Sequence, residues 1–193
     1  MVTRISILIF NQVEILDFAG PLEVFNTARQ FWNGPPPQIE LVAPDHESIR
    51  TVGNMRVHPD RHLNDCLHTD LLVVPGGAGT RPLLEQEATI AWIRERARQS
   101  ILTLSICTGA LLLGRARLLD GRNVTTHHSA FDELRTIVPS ATIQSRQRYV
   151  DTGKIITAAG ISAGIDAALY TVAKINGRGT AMKTAVEMEY DWQ

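Results

Sequence analysis

The stretch that most constrains this chain is Ile101–Gly114, ILTLSICTGALLLG. Ile101–Ile106 suits a buried strand and runs without a turn signal into Cys107-Thr108-Gly109, after which Ala110–Leu113 reads as a buried helix that stops at Gly114. A cysteine therefore occupies the corner between strand and helix. At such a corner the side chain stands clear of the sheet, near the free N–H groups of the helix's first turn. Those groups and the helix dipole favour a thiolate, the nucleophilic form of cysteine. The same position also suits a small inert residue, because free cysteine is among the most buried residue types. Position alone leaves both readings of Cys107 open.

Elsewhere strands alternate with helices. Arg4–Phe10 (RISILIF) is a nearly continuous apolar run, as a central parallel strand covered on both faces requires, and Asn11–Asp17 is the loop at its end. Gly20-Pro21 opens a helix to about Trp32, and Asn33–Pro37 (NGPPP) turns the chain into a second strand, Gln38–Ala43. Ile49–Val52 and Met55–His58 form a hairpin about Gly53-Asn54. Leu71–Val74 is a buried strand ending in Pro75-Gly76-Gly77-Ala78-Gly79, which is either a tight turn or a loop that lets backbone approach a ligand. Leu83–Arg98 reads as one amphipathic helix, Asn123–His127 as a strand, and Ser129 as the cap of a helix through about Val138. Thr142–Val150 and Lys154–Ala158 pair about Asp151-Thr152-Gly153, and the helices Ile161–Ile175 and Thr180–Glu189 close the chain.

This alternation predicts an α/β fold with a mainly parallel sheet and helices on both faces, and 193 residues fit one domain, 1–193. Ligands in such folds bind beyond the carboxyl ends of the strands. Asp17, Gly76-Gly77, Cys107 and His127 each follow the end of a different predicted strand, so one fold brings them to one rim.

Composition excludes several classes. With 44% hydrophobic residues, 20% charged residues and a net charge of -1, nothing marks disorder. No apolar run approaches the roughly 18 residues that span a bilayer, and no signal-peptide pattern opens the chain, so a cytoplasmic protein without a membrane partner is expected. Arg94, Arg96 and Arg98 alternate with Glu95 and Gln99 as a solvated helix face, so nucleic acid is not an expected partner. Cys66 and Cys107 have no paired spacing, which fits a reducing compartment, and Cys66 in LNDCLH reads as structural or incidental. His58 and His62 have i, i+4 spacing, but Pro59 lies between them and no HExxH glutamate accompanies them; they read as loop residues, and no metal or cofactor is expected.

Five motifs in order carry a resemblance: LD-x-x-GP-x-EVF (Leu16–Phe25), D-x-x-VVPGG (Asp70–Gly77), SICTGA (Ser105–Ala110), LLDGR-x-x-TTH (Leu118–His127) and AAGISAGID (Ala158–Asp166). Together they resemble the DJ-1/PfpI (ThiJ/PfpI) superfamily, nearest its isonitrile hydratase branch and the amidotransferase-like sensor domains of AraC-type regulators. The resemblance implies a flavodoxin-like three-layer sandwich of the class I glutamine amidotransferase type, a strained elbow at the cysteine, and a homodimer. It carries the catalytic cysteine onto Cys107 and its acidic partner onto Asp17. Gly77, Thr108 and Ile161 fall on the substrate or oxyanion side, and Gly76 and His127 fall near the pocket. PfpI-type proteases carry histidine after the nucleophile; Thr108 stands there instead, so no proteolytic Cys-His pair is offered. The AraC-type regulators add a helix-turn-helix pair that these 193 residues lack, so action as such a regulator alone is not expected.

The implied reaction takes a small electrophile, an isonitrile, to the N-substituted formamide through a Cys107 thioimidate, without a cofactor. Asp17 serves as general acid and later base, and a carboxyl beside a thiol tends to share one proton with it. Two other functions use the same cysteine: ligand or redox sensing, with oxidation of Cys107, and glyoxalase-like action on α-oxoaldehydes. Each residue also has a plainer role. Asp17 and Thr108 fit helix starts, His127 and His128 fit a pocket, a dimer contact or simple packing, and Asp166 fits the charged first turn of a helix.

Overall fold

The computed structural model describes residues 1–192. In chain order the elements are β1 (Arg4–Leu8), α1 (Ile15–Ala28), β2 (Gln38–Ala43), β3 (Ile49–Arg50), β4 (Arg56–Val57), β5 (Arg61–His62), β6 (Leu71–Val74), α2 (Thr80–Leu84) and α3 (Glu87–Gln99). They continue with β7 (Leu102–Ile106), α4 (Gly109–Arg115), β8 (Asn123–Val124), α5 (Phe131–Ile137), β9 (Thr142–Ile143), β10 (Tyr149–Asp151), β11 (Ile155–Ala158), α6 (Ala163–Asn176) and α7 (Arg178–Glu187).

Seven strands form the central sheet in the order β10-β11-β7-β6-β1-β2-β5, parallel throughout except for β10, which runs antiparallel to β11. The inner order β2-β1-β6-β7-β11 is that of a doubly wound, flavodoxin-like sheet. Helices α1, α6 and α7 pack together on one face and α2 to α5 on the other. That covering explains why Ile5, Ile7, Leu8 and all of Leu71–Val74 are fully buried and why their sequences run apolar without alternation. Registers such as Ile7 opposite both Leu41 and Val73, and Val74 opposite Ser105, bring the loops after β1, β6 and β7 side by side.

Several boundaries differ from the sequence expectation, each for a local reason. Helix α1 starts at Ile15 rather than Gly20, so Pro21 lies within it. Proline has no N–H, so the Asp17 carbonyl four residues earlier lacks its usual helical donor. Asp17 is thereby a first-turn helix residue and not part of the preceding loop. The expected helix 83–98 is two helices, broken at Glu85-Gln86, where Gln86 leaves helical backbone (ψ 86°). The strand expected over Asn123–His127 stops at Val124 and pairs with β9 in a separate two-stranded sheet. Beyond it, the Thr125 N–H donates to Thr157 Oγ1 at 2.9 Å and the Thr126 hydroxyl to the Cys107 carbonyl at 2.7 Å, so side-chain bonds replace a ladder. The hairpin is β3–β4, closed by the Thr51 N–H to the Met55 carbonyl and the Met55 N–H to Thr51 Oγ1, each 3.0 Å, with Asn54 at φ +61°. Strand β5, unforeseen, adds two residues to the edge beside β2.

Cys66 is buried in a polar network. Its Sγ lies 3.5 Å from both Ser6 Oγ and Glu40 Oε1, and Glu40 is held by Arg61 Nε at 2.8 Å. Among the described residues no helix is long and apolar enough to cross a membrane.

Asp70 ties the starts of β1 and β6 together. Its Oδ2 accepts the Thr3 N–H and hydroxyl, each at 2.7 Å, and the Arg4 N–H at 3.1 Å. Burial opposes its charge, yet these donors and His68 hold the carboxyl below the usual range. Asp70→Ala removes the acceptor shared by three part-buried donor groups, so urea unfolding at pH 7 is expected to show a loss of about 1–3 kcal/mol. A folded-state pKa below the unfolded value stabilises above the unfolded value, so the loss should shrink as pH falls through the acidic range.

Candidate active site

The end of β7 delivers Cys107 in a left-handed backbone conformation, φ +54°, uncommon and strained for a residue with a side chain. Both main-chain groups of Cys107 are anchored. Its N–H is shared between the Ala158 and Ala159 carbonyls (3.2 and 3.0 Å), and its carbonyl accepts the fully buried Thr126 hydroxyl. The sulfur is left at a corner only 7% exposed.

Asp17 reaches the corner from the first turn of α1 and has no solvent exposure. Its Oδ2 accepts the Gly76 N–H at 3.1 Å, while Oδ1 has no hydrogen-bond partner. The Cys107 thiol and the Ile161 N–H face the carboxyl and favour its ionised form, but neither reaches normal hydrogen-bond geometry. Gly76 is the close approach that permits this. A Cβ there would lie 2.5 Å from the Thr108 nitrogen and 2.9 Å from Asp17 Oδ2, so no other residue fits between the two loops.

Burial dominates the electrostatics. It pushes the Asp17 carboxyl up to about 7, against the Gly76 N–H and the thiol, with Glu14 adding a smaller push upward. Burial, and then the Asp17 charge, push the Cys107 thiol up to about 12, while the Thr108 N–H and hydroxyl pull the other way. The helix start does not prevail here as the sequence suggests: at neutral pH the resting cysteine is a thiol, beside a carboxyl that holds its proton far more readily than an ordinary aspartate. Such a pair holds a proton in common and releases a thiolate only as the proton moves to Asp17.

The other expected residues are distributed as follows. The Gly77 N–H donates to Thr108 Oγ1 at 2.9 Å and is therefore engaged, and Thr80 Oγ1 lies 3.2 Å from the same hydroxyl. The Thr108 N–H points at the Cys107 sulfur. Ile161, at φ +50°, turns its N–H toward Asp17 and leaves its side chain 40% exposed at the rim. His127 comes to the same corner without belonging to the main sheet: its ring covers Gly160, where a Cβ would lie 2.2 Å from His127 Cδ2. His127 Nδ1 bonds Ser129 Oγ at 2.8 Å and accepts the Ser129 N–H. Burial, then His128 and Arg81, hold it below the usual histidine range, and no hydrogen bond joins it to Cys107 or Asp17. Asp166 is occupied by Arg148 and by the Tyr190 hydroxyl (2.9 Å), in keeping with a role outside the site.

Two supports escape the sequence reading. Thr126 fixes the cysteine's carbonyl and Thr80 abuts the Thr108 hydroxyl. The only signal was the run Thr125-Thr126 before His127, in which the imidazole draws the attention. A cleft of about 210 Å³ between Phe10–Gln12, Pro44–Asp45 and the Ala78–Gln86 segment lies elsewhere on the rim and is not lined by Cys107.

Comparison with known proteins agrees with the fold. The DJ-1/PfpI family model matches residues 3–174. The chain is 37% identical over 190 residues to an isonitrile hydratase of Pseudomonas putida, covering 98% of this chain and 79% of that protein. It is 28% identical to the HTH-type transcriptional regulator CdhR of Pseudomonas aeruginosa, covering 89% of this chain and half of the regulator. A ThiJ/PfpI family protein from Pseudomonas syringae superposes with TM-score 0.89 at 27% identity, over all of this chain and 77% of that one. Drosophila melanogaster DJ-1beta superposes over the whole of both chains with TM-score 0.87 at 17% identity.

A buried acid whose pKa is raised in the folded state keeps a proton that the unfolded chain has lost. Stability therefore falls as pH rises from about 4 to about 7 and is flat above. Asp17→Asn removes that penalty. Thermal unfolding at pH 8 should show the variant more stable by up to about 4 kcal/mol, with the gain vanishing near pH 4.

Proposed function

The chain belongs to the DJ-1/PfpI family, and on that premise we propose that it is a cysteine enzyme that hydrates a small isonitrile to the N-substituted formamide. The observation that carries the reading is the pairing of a buried carboxyl, with one oxygen unpartnered, and an elbow thiol. Identity to a named isonitrile hydratase along nearly the whole chain supports the choice of substrate class.

The steps follow from the two groups. The Cys107 thiol gives its proton to the Asp17 carboxylate as the sulfur bonds to the terminal isonitrile carbon. Asp17 returns that proton to the same carbon, leaving a thioimidate, R–N=CH–S–Cys107. Asp17, again a carboxylate, takes a proton from water as the oxygen adds to the carbon, and passes it to the imine nitrogen. The tetrahedral adduct then collapses: the C–S bond breaks, the hydroxyl proton returns through Asp17 to the sulfur, and R–NH–CHO leaves. Substrate and water balance the reaction. A carboxyl near pKa 7 suits both giving and taking a proton at neutral pH. The Thr108 N–H, aimed at the sulfur, stabilises charge there as the proton departs. The apolar Ile161 side chain at the rim would meet the substrate's R group. By family resemblance the enzyme works as a homodimer of one-domain chains.

A second reading, a small-molecule sensor, draws on the similarity to the regulator CdhR. Formamide appearance from para-nitrophenyl isocyanide decides between them. Wild type should turn over, Cys107→Ala should be inactive, and Asp17→Asn should lose about 10²–10⁴-fold in kcat. Folded, reduced protein with no turnover overturns the hydratase reading in favour of the sensor, and turnover of methylglyoxal instead moves the reaction to α-oxoaldehydes.

A further inference from the structure

The histidine pair read from sequence, His58 and His62, is not the pair the fold assembles. His58 turns to Ser48, with Nδ1 3.3 Å from its hydroxyl. The partner of His62 is His46, from the loop that follows β2: the two rings stack with centroids 4.5 Å apart and 20° between planes. The β2–β5 pairing sets this up, because it places His62 opposite Ala43, and Pro44-Asp45 leads the chain back over it. Asp65 completes the group. His62 caps the short 3-10 turn Leu63–Asp65, which brings Asp65 back within reach of its ring.

One nitrogen from each imidazole and one Asp65 oxygen lie within 4.8 Å of one another, at the mouth of a polar cleft that also includes His58 and Asp60. We propose that His46, His62 and Asp65 form a binding site for a borderline divalent cation of the Zn²⁺ class. Two imidazoles with one carboxylate suit Zn²⁺, Co²⁺, Ni²⁺ or Cu²⁺ far better than Mg²⁺ or Ca²⁺, which prefer oxygen donors. Tetrahedral coordination needs donors about 3.4 Å apart, so the exposed His46 and Asp65 side chains swing inward onto the half-buried His62. Arg61 lines the same cleft, but its Nε is held by Glu40 Oε2 at 2.8 Å. Three protein donors leave a coordination position for water.

Binding has an internal reporter. The Asn64 N–H now donates to His62 Nδ1 at 3.1 Å. A cation on Nδ1 replaces that contact, and a cation on Nε2 moves the ring proton to Nδ1 and expels it. Either way Asn64 loses its acceptor. The ion would clip the β2–β3 loop to the edge strand, well away from Cys107, so the site stands or falls independently of the hydratase reading.

The test uses the full chain freed of any affinity tag, titrated with ZnCl2 by calorimetry and with CoCl2 by absorbance. One equivalent should bind with micromolar affinity. His46→Ala and His62→Ala should each weaken it about tenfold or more, with His58→Ala near wild type. The Co²⁺ spectrum should lack a thiolate-to-metal band, and the Asn64 amide resonance should shift. No binding at millimolar Zn²⁺, unchanged affinity in both alanine variants, or a thiolate band placing the ion on Cys66 or Cys107 would each overturn the proposal.

Discussion

A carboxyl group held wholly out of water is the constraint on which the rest of this structure turns. Asp17 keeps one hydrogen bond, from the Gly76 N–H, and leaves its other oxygen unpartnered. An unsatisfied buried polar atom costs on the order of 1–3 kcal/mol. The fold tolerates it because the carboxyl is wedged between two loops and α1. The loops approach so closely that Gly76 has no room for a Cβ. The left-handed backbone at Cys107 is a second tolerated cost at the same corner. Cost of this kind gathered at one point, amid a sheet whose strands are buried and well paired, is what the proposed chemistry at this corner requires.

Threonines do much of the holding. The β8 segment ends where the Thr126 hydroxyl donates to the Cys107 carbonyl and the Thr125 N–H donates to Thr157 Oγ1 of β11, and Thr80 and Thr108 meet beside Gly77. Each hydroxyl takes over a task that a regular ladder performs elsewhere. The segment Thr125–His127 can therefore leave the sheet and still arrive at Cys107. This is the physical reason that His127 reaches the corner by a route other than the end of a sheet strand.

The difference between what the sequence discloses and what it withholds follows the range of the interactions. Apolar runs such as Leu71–Val74 and Leu102–Ile106 announce buried parallel strands because both faces of the sheet are covered. The corner at Cys107 is equally plain, since strand, turn residue and helix are contiguous. Pro21 misleads because proline usually opens helices, whereas here it follows a full turn that begins at Ile15. The ionisation of the pair was the least legible. A helix start next to a cysteine argues for a thiolate, but the depth of burial, a property of the whole packed chain, reverses the balance. The meeting of His46 with His62 was likewise hidden, because it depends on a two-residue strand too short to have a pattern of its own.

The short strand β5 also guards one margin of the sheet. A parallel sheet this apolar would be a hazard if its margins were long and flat. Here β5 offers two residues and β10 three, and β10 is folded back antiparallel on its neighbour. Beside β5 the charged Glu40 lies nearly buried beneath Arg61, a poor surface for an incoming strand. Growth of the sheet from chain to chain is thus blocked at both margins.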